Sequence, residues 1–148
     1  MNARQGEDED LITFTKRVKQ LSDVVKSMIG TKILHECVKG TDEYKNASPQ
    51  EMIDLLDNSY EHLGAYVLLH GADRAKYGNL MKGFVNQFLL KNDQYPKTLS
   101  DAVDALSNHP FDQGYYDRKK KRKEEAKKRG QKDKEEKETS FKPSLIHI

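Results

Sequence analysis

The sequence predicts an all-α protein, a small bundle of four to five helices followed by a disordered basic tail. Apolar residues recur every three or four positions through the first three quarters of the chain, as on the buried face of a helix. No stretch shows the sustained alternation of a half-buried strand. The predicted organisation is a disordered arm over residues 1–10, a helical domain over 11–109 and a disordered basic tail over 110–148.

The charge of the chain is unevenly distributed. Hydrophobic residues make up 35% of the 148 and charged residues 34%, which is a low apolar share for a globular protein. Residues 1–116 hold 13 Lys and Arg against 17 Asp and Glu, whereas residues 117–148 hold 13 against 7. An acidic body joined to a basic tail predicts a polyanionic partner.

The single cysteine and the polar N-terminal residues indicate in which cellular compartment the protein is expected. Cys37 is the only cysteine, so neither an internal disulfide nor a cysteine-based zinc site can form. The sequence MNARQGEDED lacks the apolar run of a signal peptide. No apolar segment approaches the roughly 18 residues that a membrane helix needs. We expect a soluble, intracellular protein without a membrane partner, located in the cytoplasm or in the nucleus.

The first predicted helix runs from Leu11 to about Ile29 and is closed by Gly30. Its apolar positions follow alternating spacings of three and four. One interpretation is a coiled-coil or dimer seam, and the other is a helix packed on its own domain. The second is favoured because the repeat covers only two and a half heptads. The repeated positions are Leu11, Phe14, Val18, Leu21, Val25 and Met28.

A short second helix is predicted between Thr31, as its cap, and Gly40. His35 and Cys37 are two residues apart and do not share a helical face, which argues against a Cys–His nucleophile pair or a metal site. Cys37 is expected to be a small buried thiol. A polar loop should follow over Gly40–Ala47.

A strong start signal opens the third predicted helix. Ser48 is its cap, Pro49 suits the first turn, and Glu51 completes a capping box. Helical spacing continues to about Leu69. The break that follows contains Gly71, which we expect in the left-handed conformation.

Two further helices complete the predicted domain. Asp73 can cap a helix over Arg74–Leu90. Thr98 can cap a last helix that ends near Asn108. Because the turn at Tyr95 and Pro96 would fold one helix onto the other, we expect six apolar residues to be buried together. They are Leu80, Phe84, Phe88, Leu99, Val103 and Leu106.

The tail begins with nine positive charges within twelve residues. Such a run neutralises phosphates without reading bases, and it would also serve as a nuclear-localisation patch. A solvated linker is the alternative. Tyr115 and Tyr116 could stack on unpaired bases or cap the end of the core. The candidate nucleic-acid-binding residues are Arg118, Lys119, Lys120, Lys121, Arg122, Lys123, Lys127, Lys128 and Arg129.

No catalytic constellation is recognisable in the sequence. The glycines at Gly78 and Gly83 lie inside a helical pattern and form no phosphate-binding loop. His35-Glu36 lacks the second histidine of a zinc-protease motif, and the five histidines lack metal-ligand spacing. We therefore expect no enzyme activity, catalytic residues, cofactor, metal or small-molecule substrate.

Three blocks in the second half of the predicted domain resemble the end of the gag region in copia-type retrotransposon polyproteins. The first is L-x-G-A-D-R-x-x-Y-G-x-L at Leu69–Leu80. The second is the N-x-[FY] step at Asn86–Phe88, and the third is the Y-P-K-T-L block within Asp93–Ala102. The segment Phe14–Val25 is weakly similar to the preceding gag helix.

The resemblance implies a capsid-like helical domain that self-associates into a particle around RNA. In such proteins a basic linker and a C-C-H-C zinc knuckle follow. Here the linker is present, but Cys37 alone cannot supply a knuckle, so the resemblance implies a chain truncated before it. The expected partners are further copies of the chain and RNA or another polyanion. The alternative function is a host helical adaptor with a nuclear-localisation-like tail.

Overall fold

The computed structural model describes the backbone of residues 3–146 and the side chains of residues 3–132. Within those residues it contains eight helices and no strand, which confirms the all-α prediction. Residues 1–2 of the predicted arm and 147–148 of the predicted tail lie outside the described residues. The helices are α1 (Leu11–Ile29), α2 (Lys32–Lys39), α3 (Asp42–Lys45), α4 (Pro49–Asp57), α5 (Ser59–Gly71), α6 (Arg74–Leu89), α7 (Leu99–Asn108) and α8 (Gln113–Ile146).

Local signals in the sequence set several helix ends. Gly30 closes α1 with φ 74° and ψ −163°, a conformation open almost only to glycine. The Ser48 hydroxyl accepts from the Glu51 amide and the Glu51 carboxylate accepts from the Ser48 amide, so the predicted capping box is present. Thr98 caps α7 by accepting from the Asp101 amide at 3.1 Å. Thr31, in contrast, makes no side-chain cap bond to α2.

The single helix predicted from Pro49 to Leu69 is two helices, divided at Asn58. The Asn58 side chain donates to the Asp54 carbonyl at 2.9 Å, and the Ser59 hydroxyl donates to the Leu56 carbonyl at 2.8 Å. Side chains that bond to nearby carbonyls in this way compete with a continuous helix. The predicted loop before α4 likewise contains the short helix α3.

The core is built around α5. Leu68 and Leu69 are almost fully buried, and α1 and α7 pack against α5. Phe14 and Val18 of α1 are buried, which confirms that this helix packs on its own domain; Met28, further along the predicted seam, is 81% exposed. The buried apolar residues are Phe14, Val18, Ala65, Leu68, Leu69, Ala72, Tyr77, Met81, Ala102 and Leu106.

The predicted core set was wrong at Phe88, which is 55% exposed. Leu106 is fully buried, and the other four members are partly buried against the core. The prediction assumed that α6 folds along α7, but α6 packs mainly on α8, and its last turn carries the exposed side chains of Phe88 and Leu89. Cys37 is exposed rather than buried, because α2 contributes no buried residue to the core.

The prediction of a left-handed conformation at Gly71 was wrong. A glycine is needed there because neighbouring atoms pack too closely to leave room for a side chain. It is the last residue of α5, and the only described glycine with positive φ is Gly30. A Cβ added at Gly71 would lie 2.0 Å from the Ala3 carbonyl oxygen and 2.9 Å from Cζ of Phe14. The N-terminal arm and α1 therefore both press against this point of α5.

The N-terminal arm, predicted to be disordered, is bound to the body over its described residues. Gln5 is buried, and its backbone amide donates to the Gly71 carbonyl at 2.8 Å. Its side-chain oxygen accepts from the Asp73 amide at 3.0 Å. The prediction failed because the arm's anchor is a glutamine with partners nearly seventy positions away, which no local pattern indicates.

Replacing Phe14 should destabilise the protein far more than replacing Phe88. We expect Phe14→Ala to lower the free energy of unfolding by about 3–5 kcal/mol, since the fully buried ring leaves a cavity. The matched change Phe88→Ala should cost less than about 1 kcal/mol, because the ring is largely in solvent. Urea unfolding followed by circular dichroism measures both, and comparable losses would contradict this description of the core.

Candidate nucleic-acid interface

The basic segment is attached to the body through Asp112. The Asp112 amide donates to the Lys76 carbonyl at 3.0 Å, and its carboxylate accepts from the Asn79 amide at 2.8 Å. The same carboxylate lies 2.8 Å from Nε2 of His109. Burial alone would raise the pKa of Asp112, but the Asn79 amide and His109 outweigh it and lower the pKa. These bonds fix where α8 begins.

An aromatic cluster covers the junction between α6 and α8. Tyr77 is buried and contacts Phe111 edge-on at 5.9 Å between ring centroids, and Phe111 contacts Tyr115 at 4.9 Å. The Lys76 ammonium lies 5.1 Å from the Phe111 ring centre and 5.2 Å from that of Tyr115, which are cation–π distances. Tyr115 thus caps the core, while Tyr116 is exposed.

Arg118, the first candidate cation, is held by an ion pair with the body. Its guanidinium donates to both Asp73 carboxylate oxygens, at 3.0 and 2.6 Å. Asp73 also caps α6 by accepting from the Ala75 amide at 3.0 Å. Burial raises the pKa of Asp73, but the hydrogen bonds from Arg118 and the Ala75 amide outweigh that effect. The pKa of Asp73 therefore lies below its usual value of 3.8.

Arg122, one helical turn further along α8, is paired with the N-terminal arm. It donates to the Asp8 carboxylate at 2.7 Å and also to the Glu7 carboxylate. Two of the nine candidate cations therefore have intramolecular partners in the described structure. The prediction that the tail is disordered from residue 110 is accordingly corrected over 113–122, where α8 packs on the body and on the arm.

The other seven candidate cations are exposed on α8. At 100° per residue, Arg118 and Arg122 share the face turned to the body, and the opposite face carries Tyr116, Lys120, Lys123 and Lys127. All side chains from Lys119 to Lys132 are exposed. The exposed candidates are Lys119, Lys120, Lys121, Lys123, Lys127, Lys128 and Arg129.

The sequence identified the cations, but it did not identify the carboxylates that bind two of them. Asp73, Glu7 and Asp8 divide the run into arginines bound to the body and cations left in solvent. One signal was present: Arg118 and Arg122 are spaced by four, so they share a face if the tail is helical. The acidic arm was also visible in the sequence, but its position beside α8 was not.

Neither a metal cluster nor a membrane-spanning helix is found in the described part of the chain. Among residues with described side chains, no group of three or more His, Cys, Asp or Glu could hold a metal ion. No described helix combines the length and the apolar character needed to cross a bilayer.

The Asp73–Arg118 pair should make stability depend on pH. We expect Asp73→Asn to lower the free energy of unfolding by about 1.5–3 kcal/mol at pH 7, the range for a charged hydrogen bond. Because the pKa of Asp73 is lower in the folded state, its contribution is complete above about pH 4–5 and is lost as pH falls through the folded-state pKa. The difference between wild type and variant should therefore shrink at pH 3.

Urea titrations at both pH values measure this difference, with Asp57→Asn on the exposed side of α4 as the matched control. The control should change stability by less than about 0.5 kcal/mol at either pH. An equal loss for Asp73→Asn at pH 7 and pH 3 would show that the ion pair is not the source of the effect.

Comparison with known protein families, with characterised proteins and with solved structures finds no match to this chain. No family membership follows for it. The observations that bear on its function are the geometry of α8, the charge of the body and the exposed apolar residues.

Proposed function

We propose that this chain is a gag-like structural protein of a copia-type retrotransposon: a self-associating helical module that binds RNA through α8 without base preference. The observation that carries the proposal is the set of seven exposed cations on a helix anchored to an acidic body. The body repels a polyanion and α8 attracts it, so an RNA strand is directed to one side of the molecule.

Lysine is the dominant cation on the exposed surface of α8. A lysine ammonium is a point charge on a flexible stem, which suits phosphate contacts, and it lacks the rigid donor fork with which arginine binds two acceptors at once. Phosphate contacts give affinity through counterion release and carry no sequence information. Exposed Tyr116, on the same face as Lys120 and Lys123, adds a ring on which an unpaired base can stack.

The first of the three blocks that resemble gag, Leu69–Leu80, coincides with the corner between α5 and α6. Within it, Gly71 leaves room for the N-terminal arm, because a side chain there would collide with Ala3. Asp73 binds Arg118 and caps α6, and Tyr77 is buried against Phe111. The residues of this block thus have interlocking structural roles in this chain.

Exposed apolar residues provide surfaces for self-association. The α6 patch, defined as Val85, Phe88, Leu89 and Leu90, lies at the end of α6; Leu89 is 73% exposed and Leu90 is 75% exposed. Clustered apolar side chains in solvent are typical of protein–protein interfaces. A second exposed apolar set lies at the end of α1 and the start of α2, at Val24, Met28, Ile29 and Ile33.

The alternative function is a host helical adaptor whose tail is a nuclear-localisation signal or a solvated linker. It is favoured by a groove of about 410 Å³ beside the α6 patch, which could receive a helix or peptide of a partner protein. An adjacent protease, integrase or reverse-transcriptase reading frame would support the gag-like function, and an intron-bearing host gene would support the adaptor. The groove is lined by His62, Tyr66, Leu69, His70, Phe88, Asp93, Tyr95, Pro96 and Lys97.

RNA binding should depend steeply on salt. With about five or six phosphate contacts, the log–log plot of affinity against salt should have a slope of about −4 for single strands, with micromolar affinity. Changing Lys120, Lys123 and Lys127 to alanine should flatten that slope by about 2, since each contact contributes roughly 0.7. Fluorescence anisotropy with labelled single-stranded RNAs of different sequence measures the slope, and all sequences should weaken alike.

A matched variant removes three exposed lysines from α1 and α6 instead, at Lys16, Lys19 and Lys82. It has the same net charge as the α8 variant and should leave the slope nearly unchanged. Equal flattening by the two variants would mean that total charge, and not α8, determines binding.

Self-association should be detectable for the full chain. We expect dimers or larger species at tens of micromolar, the range of modest interfaces. Leu89→Glu combined with Leu90→Glu should shift the protein towards monomer, because it places charge in the α6 patch. Met28→Glu with Ile29→Glu is the matched change at the other surface. Sedimentation velocity measures the distribution, and a clean monomer at millimolar concentration would favour the adaptor.

A further inference from the structure

The N-terminal arm is fixed at two points that flank its acidic residues Glu7 and Asp8. On one side Gln5 is buried against Gly71. On the other side Arg17 donates to both Glu9 carboxylate oxygens at 2.7 Å. The segment between these anchors cannot move far, so Glu7 and Asp8 are held beside α8 and are not supplied by a freely moving chain end.

The four acidic residues of the arm have different roles. Glu9 binds Arg17, and Asp10 caps α1 by accepting from the Thr13 amide at 2.7 Å. Glu7 and Asp8 contribute to neither contact, and their ion-pair partner is Arg122. Two carboxylates thus converge on one guanidinium, as two phosphates of a nucleic acid would.

The two arginine pairs of α8 differ in how readily they can be exchanged. The side chain of Asp73 is 7% exposed, which protects its pair with Arg118 from solvent. The side chain of Glu7 is 55% exposed and that of Asp8 is 85% exposed. Exposed ion pairs contribute little to stability and are screened by salt, so a competing anion can replace them.

The space between the arm and α8 is open to such an anion. It is a cleft of about 320 Å³, in which cations and carboxylates face one another. A phosphate that enters the cleft must compete with Glu7 and Asp8 for Arg122. The cleft is lined by Glu7, Asp8, Glu9, Asp10, Lys76, Tyr115, Arg118, Lys119 and Arg122.

We infer that the acidic arm is an intramolecular competitor of nucleic acid: Glu7 and Asp8 occupy Arg122 in the free protein and lower the affinity of α8 for RNA. This inference rests on the proposed function, because it concerns the same basic helix. Binding of RNA then exchanges Glu7 and Asp8 for phosphates at Arg122, whereas the protected Arg118 stays on Asp73. Arg122 is therefore available to phosphate only after the arm is displaced, whereas the outward lysines are available at all times.

A double-mutant cycle on the full chain tests the inference, with a fluorescein-labelled 20-nucleotide poly(U) as the probe. Glu7→Gln with Asp8→Asn should tighten binding about two- to fivefold, the effect of removing weak exposed pairs. Arg122→Ala should weaken binding by less than about 1.5-fold in the wild-type background. In the Glu7→Gln/Asp8→Asn background the same change should weaken it about two- to fivefold, because Arg122 is then free to contact phosphate.

Two controls separate this local effect from the loss of net charge. Lys123→Ala, on the outward face of α8, should weaken binding by the same factor in both backgrounds. Asp54→Asn with Asp57→Asn removes two exposed carboxylates from α4 and should leave the effect of Arg122→Ala as small as in wild type. Circular dichroism verifies that each variant remains folded.

The possible failures are distinguishable. If Arg122→Ala has the same effect in both backgrounds while all proteins bind poly(U), the competition is excluded and the proposed function stands. If the Asp54/Asp57 variant also makes Arg122→Ala costly, the effect is one of net charge and the inference is overturned. If no variant binds poly(U) even at low salt, the proposed function and the inference fail together.

Discussion

The ion pair between Asp73 and Arg118 is the constraint on which the arrangement of the other segments depends. Asp73 lies in the short turn between α5 and α6, where its carboxylate caps α6 and receives Arg118, and its amide binds Gln5. One residue therefore orients the next helix, the basic helix and the N-terminal arm. Because these contacts share one residue, they are coupled, and a change in any of them alters the surroundings of the other two.

The choice between arginine and lysine along α8 follows the direction in which each residue faces. Arg118 and Arg122 point to carboxylates of the body and the arm, where a planar guanidinium can bond two oxygens at once. Lys120, Lys123 and Lys127 point to solvent. The same basic run thus serves two purposes: attachment of the helix and presentation of charge.

Signals within a few residues of one another made much of the fold predictable. Gly30 and the Ser48 capping box mark helix ends by their own backbone chemistry, so both could be identified from the sequence. Phe88 was misplaced because its helical spacing does not reveal which neighbour the helix packs on. The pairing of Arg122 with Asp8 spans 114 positions. The spacing of four between Arg118 and Arg122 indicates a shared helical face, but it does not reveal which acidic residues lie opposite that face.

The helical rise of α8 determines how densely its charge is arranged. Twelve helical residues rise about 16.5 Å from Arg118 to Arg129, so nine cations lie roughly 2 Å apart along the axis, close to the axial charge spacing of a nucleic-acid duplex. Like charges at this spacing repel one another and disfavour the helix. If the proposed function holds, a polyanion bound along this segment relieves that repulsion, and its binding and the helicity of the segment are then thermodynamically linked.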